Sequence, residues 1–260
     1  MRIFGLLLIF SLGLSGCSLV PEQIDVTENW SASKFYAEGK RSLADGDFET
    51  AIKFYEQLEA RFPFGKYAQQ AQVEIAYAYY KFDEPESSII AADRFIKLHP
   101  RHPNVDYLYY LKGLVNFNAG KDLISKYLPQ DPTQRDPGAA RAAFDDFGIL
   151  IRKYPDSKYA KDARQRMIFL RNNLAEYEIH VANYYMKRQA YVAASNRAKY
   201  VVENFQKTTA VPKALVIMIN AYNSMGLNDL ANDANRVLQK NYPGHLTSLT
   251  TSDTVKRTLK

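Results

Sequence analysis

Cysteine is nearly absent from this chain: 260 residues carry one, at position 17. No internal disulfide can form. Histidine is almost as scarce, with four residues. His99 and His102 are three apart, but Pro100 and Pro103 place them in a connector where they cannot share a helix face. They read as a chance pair rather than a metal site, and His180 and His245 add no cluster. No nucleophile elbow, HExxH helix, phosphate-binding loop or dinucleotide glycine pattern occurs, so nothing marks the chain as an enzyme. Asp145 and Asp146 are adjacent and point in different directions on a helix, which reads as a solvated face rather than a catalytic pair. Long apolar runs are missing too. The one candidate, from Ile3 to Leu14, is too short to span a bilayer.

That run follows Arg2 and closes as Leu14-Ser15-Gly16-Cys17, which reads as a signal peptide over residues 1–16 ending in a bacterial lipobox. Small residues at 15 and 16 let a signal peptidase reach the Cys17 backbone, and the thiol then accepts diacylglycerol. N-palmitoyl and S-diacylglycerol groups on Cys17 are the only additions expected, with no other cofactor and no metal. At about 0.8 kcal/mol per buried CH₂, two or three acyl chains anchor a protein without a transmembrane helix. Ser18, where an Asp would retain a lipoprotein elsewhere, resembles the pattern of an outer-membrane destination. Residues 17–30 then read as a lipidated tether spanning at most ~45 Å, and 247–260, rich in Ser and Thr, as a disordered tail.

The body between them is a repeat array. Phe62-Pro63, His99-Pro100, Tyr154-Pro155 and Tyr242-Pro243 end four segments, and Phe205-Gln206 ends a fifth without the proline. The intervals are 37, 55, 51 and 37 residues, a period of 37 with 18 extra in one unit and 14 in the next. Twelve residues before each end stand Ala51, Ser88, Ala143, Ala194 and Ala231. A further twelve back, allowing for the larger insertion, stand Gly39, Ala76, Gly113, Ala182 and Ile219. Leu58, Phe95, Leu150, Val201 and Leu238 lie five before each end. Small residues where two helices cross and a large apolar contact further on resemble the tetratricopeptide repeat. The implied fold is all-α, five tetratricopeptide-like helix pairs stacked as a right-handed solenoid.

The insertions differ in kind. Fourteen residues are close to four helical turns, so 162–187 can run as one long helix that projects beyond its neighbours. The other insertion carries Pro129, Pro132 and Pro137, which exclude a regular helix. The expected domains are N-terminal repeats at 31–118, an insertion loop at 119–138 and C-terminal repeats at 139–246.

In stacked repeats of this type, fixed positions of each first helix line the concave face. They map to Tyr36, Lys40 and Leu43, then Val73, Tyr77, Tyr80 and Lys81, then Tyr107, Tyr110, Leu114 and Phe117. Two readings stand. These aromatics pack between repeats, or they form a groove for an extended segment bearing aromatic side chains, with Lys40 and Lys81 available to its carboxylate. Tyr36 occupies a position that a co-chaperone carboxylate clamp needs for another residue, so that kind of tail reader is not reproduced. From Arg152 to Lys213, 13 Lys/Arg face five Asp/Glu, a net of +8. That stretch reads as a solvated face, or as a surface for an acidic protein or anionic lipid headgroups; nucleic acid is a poor partner for an exported chain.

The lipobox, the five long-connector repeats, the Arg135-Asp136-Pro137 insertion, the Pro63-Phe64-Gly65 connector and the run Ala76-Tyr77-Ala78-Tyr79-Tyr80-Lys81 together resemble the BamD (ComL) family of outer-membrane assembly lipoproteins over essentially the full length. The resemblance implies a non-enzymatic adaptor of the β-barrel assembly machine at the periplasmic face of the outer membrane. Its N-terminal units would recognise the C-terminal targeting strand of unfolded barrel proteins, through Tyr36, Lys40, Tyr77, Tyr80, Lys81, Tyr107, Tyr110 and Phe117. Its C-terminal units would dock on the periplasmic domains of BamA, and BamC and other lipoproteins of the machine would bind as well. Arg197 matches a docking arginine of the family, and Arg188 and Lys199 are further candidates in the same basic stretch. A scaffold for cell-wall or pilus assembly is the alternative reading of the same repeats.

Overall fold

The computed structural model describes residues 26–119, 133 and 136–245. The expected signal peptide, Cys17, most of the tether and of the insertion loop, and the tail lie outside the described residues. Ten helices are described, in five pairs: α1 (Ala32–Asp45) with α2 (Phe48–Arg61), α3 (Lys66–Lys81) with α4 (Pro85–Leu98), α5 (Val105–Asn118) with α6 (Gly138–Lys153), α7 (Ala160–Lys187) with α8 (Tyr191–Asn204), and α9 (Ala210–Ser224) with α10 (Asn228–Asn241). Each helix packs on the next, and α1 also touches α3, α3 touches α5, and α7 touches α9. The result is a solenoid of helix pairs, all-α among the described residues.

Local chemistry explains the pairing. Asp45-Gly46-Asp47 turns α1 into α2. Gly46 takes a φ of 80°, open to glycine at no steric cost, and Asp47 caps α2 by accepting from the Thr50 amide at 3.1 Å. All five second helices stop alike: Phe62, His99, Tyr154, Phe205 and Tyr242 leave the helical region with φ between −118° and −136°, each donating its amide to the carbonyl four residues back. A following proline disfavours the helical region for the residue before it and so suits that exit geometry. Phe205 adopts it without one, so the repeat's shape outlasts its motif.

The small residues sit where helices cross. Gly39 lies under the Tyr55 ring, which a methyl group there would meet at 2.6 Å, and Gly113 lies as closely under Phe147. Ser88 is fully buried and donates its hydroxyl to the Ala76 carbonyl at 2.7 Å, so the polar member of the small set is satisfied. Ile219, the departure in the last unit, is only partly buried against its core.

Three hydrophobic cores run along the array. The first is held by units one and two, the second extends from unit two to the start of α7, and the third occupies units four and five. The long helix expected at 162–187 is observed as 28 residues. Ala163 and Leu170 belong to the second core, and Ala175, Ile179 and Ala182 to the third.

Two expectations need correction. The end of the assigned tether is part of the array: Thr27 is buried and its carbonyl accepts from Arg61 at 2.7 Å, while Trp30 packs on Phe35 and Phe54. Asp145 is exposed as expected, but Asp146 is buried. Its carboxylate meets Lys112 at 3.0 Å and accepts from Asn116 at 3.3 Å, and Lys112 also bonds Asp93 at 2.7 Å, tying α4, α5 and α6 together. Adjacent residues lie about 100° apart around a helix, so Asp145 points to solvent while Asp146 faces α5.

Because the Phe147 ring occupies the place of a side chain at position 113, Gly113→Val is expected to cost about 1–3 kcal/mol. Thermal unfolding of the purified variant measures it; an unchanged midpoint would mean that the crossing tolerates a larger residue.

Candidate partner-binding surfaces

The first helices of units one to three do bring the expected side chains together, but in two groups. Lys40, Leu43, Ala44, Val73, Glu74, Tyr77 and Tyr107 line an open cavity of ≈ 370 Å³ between α1, α3 and α5. Tyr107 also packs on Tyr159 at 5.6 Å, and the other expected aromatics are engaged in packing as well. Tyr110 stacks on Tyr159 at 4.7 Å and donates to Asp162 at 2.7 Å, and Asp162 is also held by Arg166 at 2.6 Å. Phe117 contacts Phe147 and Phe169, with the Arg166 guanidinium 4.8 Å from its ring. Tyr80 accepts from Asn118 at 2.7 Å, and Leu114 packs on the second core. Lys81 does not line the cavity; its ammonium lies 5.7 Å from the Phe48 ring at the start of α2.

Glu74 organises the cavity wall. One of its oxygens accepts from Tyr36 at 2.8 Å and lies 3.4 Å from the Lys40 ammonium, and the other accepts from Tyr55. Lys40 is therefore already matched by a carboxylate, which weakens it as a receiver for a second carboxylate, and the Tyr77 and Tyr107 rings are the aromatic part of the cavity lining. Burial, then the neighbouring Glu74, raises the Tyr36 and Tyr55 hydroxyls well above their ordinary 10.0. Burial raises Tyr107 too, and burial followed by Glu56 raises Tyr79. Burial and then Asp162 raise Tyr110.

The basic stretch is less free than its net charge suggests. Glu178 on α7 is 1% exposed and holds two arginines, Arg141 of α6 at 3.1 Å and Arg197 of α8 at 3.0 Å. A carboxylate so buried needs such partners. Arg197 keeps 46% of its side chain exposed, so its outer face remains accessible. Arg188 caps α7 and packs over Tyr184, to whose hydroxyl it donates at 3.2 Å. Lys199 pairs with Glu203 at 3.6 Å. Two residues apart on α8, Arg197 and Lys199 project to different faces, so the three candidates do not form one patch. Lys213 pairs with Glu176 at 2.8 Å. His99 and His102 both pack on Phe95, and among the described residues no group of three His, Cys, Asp or Glu side chains is placed to hold a metal.

Known proteins match this arrangement of repeats along nearly the whole chain. A family model described as YfiO, outer membrane lipoprotein, matches residues 28–238. The chain is 44% identical over 243 residues to the outer membrane protein assembly factor BamD of Neisseria meningitidis serogroup A strain Z2491, covering 92% of this chain and 91% of that one. The chain belongs to this family of outer-membrane assembly factors. The match extends to Vibrio cholerae, whose BamD is 37% identical over 228 residues, covering 88% of this chain and 93% of the relative. The family's description associates the chain with the outer membrane. Among the described residues no helix is long and apolar enough to cross a membrane.

Glu74 and Glu178, the two carboxylates around which these surfaces are built, were missed by repeat positions. Both left a signal: Glu74 is the only charged residue between Lys66 and Lys81, and Glu178 stands between Leu174 and Ala182 at the four-residue spacing of one helix face. Tyr159, which stacks on Tyr110, belongs to a connector and has no repeat position to reveal it.

Since these tyrosines hold their protons above the ordinary value of 10.0, the folded chain binds more protons than the unfolded one as pH rises past it. Their stabilising contribution is complete below that pH and declines above it. The near-ultraviolet phenolate absorbance of the buried tyrosines is expected to rise together with the loss of helical circular dichroism. Full phenolate absorbance while the helices stay intact would show that these hydroxyls are not held as described.

Proposed function

We propose that this chain is a non-enzymatic adaptor of outer-membrane β-barrel assembly, attached to the periplasmic face of the outer membrane by acyl groups on Cys17. Units one to three receive the C-terminal targeting strand of an unfolded barrel protein, and unit four docks on the periplasmic domains of BamA, with BamC and other lipoproteins of the same machine as further partners. The observation that carries this reading is the tyrosine-walled cavity shared by the first helices of three successive units. An extended strand with alternating aromatic side chains presents a ring on every second residue, and Tyr77 and Tyr107 offer surfaces for such rings. With Lys40 occupied by Glu74, recognition rests on ring contacts more than on the terminal carboxylate.

A fluorescent ten-residue peptide with alternating aromatics and a C-terminal Phe should bind the purified protein. Tyr77→Ala should weaken it by roughly tenfold, near the upper range of an aromatic pair contact, and Lys40→Gln by much less. Equal binding to wild type and Tyr77→Ala would remove the cavity from the reading.

Docking is tested separately. Arg197→Gln should reduce the BamA that co-purifies with the chain, whereas Arg141→Gln, which disturbs the same Glu178, should not. An equal loss in both variants would assign Arg197 a role inside unit four alone.

A further inference from the structure

On the other side of α3 from the tyrosine cavity, α2 and α4 border a second cavity of ≈ 240 Å³ that none of the surfaces above uses. Ile75 and Phe95 give it an apolar lining, and Ile90 stands at it 68% exposed. Its polar groups are mostly acceptors. Glu56 already takes the Tyr79 hydroxyl at 2.7 Å. Glu59 does not have that comfort: its side chain is 16% exposed, it accepts no hydrogen bond among the described residues, and its ion-pair partner Arg94 stays 3.6 Å away with 59% of its own side chain in solvent. Gln72 Oε1 is sealed from water and accepts nothing. Sealing an amide oxygen from water without a donor is costly, and a half-buried carboxylate with one distant cation has room for a closer one.

Two acceptors short of donors, an apolar lining and a surplus of carboxylates over the single Arg94 call for a ligand with several donors on a flat, weakly hydrated cation. A guanidinium has that chemistry: five donors in a fork that matches a carboxylate, on an aliphatic stem able to pack beside Phe95. A lysine ammonium supplies the charge without the fork. We infer that this cavity is a docking site for an arginine side chain presented by an extended segment of a protein partner, with an apolar residue next to that arginine resting on Ile90. Glu59 receives the guanidinium, and the Gln72 amide, which has no partner to lose, turns to accept from it. The site is independent of the tyrosine cavity and of Arg197.

The test uses the mature full-length protein in detergent and three fluorescein-labelled octapeptides that share an apolar residue next to a central position holding arginine, citrulline or lysine. Fluorescence anisotropy should rise with the arginine peptide. Citrulline, which keeps the shape and loses the charge, should bind about tenfold more weakly, and lysine several-fold more weakly. Glu59→Gln and Ile90→Ser should each weaken the arginine peptide by roughly fivefold or more with unchanged circular dichroism, and Tyr77→Ala should leave it unaffected. Absence of binding by the arginine peptide, equal binding of arginine and citrulline or of arginine and lysine, or indifference to Glu59→Gln would each overturn the proposal. Loss with Tyr77→Ala would return the binding to the tyrosine cavity and overturn it as well.

Discussion

Two of the three cores in this array meet on one continuous helix, and the relation between its halves depends on that continuity. α7 runs for 28 residues, or ~42 Å, where the other described helices run for 14 to 16. Its first half closes the core of units two and three, and its second half opens the core of units four and five. A helix keeps its backbone bonds internal, so it transmits orientation from one core to the next without needing a large direct interface between them. Glu178 adds to this near the junction, joining α7 to α6 through Arg141 and to α8 through Arg197. Arg141 thereby ties unit three to unit four, while Arg197, 46% exposed, closes the same carboxylate from within unit four.

The same pattern of a carboxylate set among aromatics or arginines recurs on the N-terminal side. Glu74 gathers Tyr36, Tyr55 and Lys40 from α1 and α2 onto α3. That charge is tolerable in a partly buried place because three donors meet it, and Tyr77 and Tyr107 complete the cavity lining beside it while packing against the second core. Lining a cavity and packing are not alternatives for the tyrosine-rich first helices: Tyr36 and Tyr110 are held by hydrogen bonds and ring contacts, and Tyr77 and Tyr107 pack on the core with part of each ring at the cavity. On the far side of α3, Gln72 Oε1 has no donor and Glu59 has only Arg94 at 3.6 Å, which is why that cavity reads as incomplete.

Much of the fold was legible in the sequence because tetratricopeptide packing imposes strict sizes at few positions. Gly39 and Gly113 must be small where rings cross over them, and an aromatic before proline ends a helix in one way; both leave marks at fixed spacing. The continuity of α7 was legible for a similar reason, since an insertion near a whole number of turns keeps the same face toward the core. The candidate surfaces were only half legible. Repeat positions located the tyrosines but could not tell which would be engaged, and the burial of Asp146 was hidden because its partner Lys112 lies 34 residues away on another helix.

By itself, then, the sequence determined the helix pairs, their number, their stops and the crossing points, because these follow from local sterics and short-range periodicity. Only the tertiary structure decided which charges are spent inside the array and which face outward. Net charge and spacing do not specify partners; Lys40 met Glu74, Arg197 met Glu178 and Lys112 met Asp146 because helices distant in the chain were brought within bonding distance, where a carboxylate losing water must find a donor.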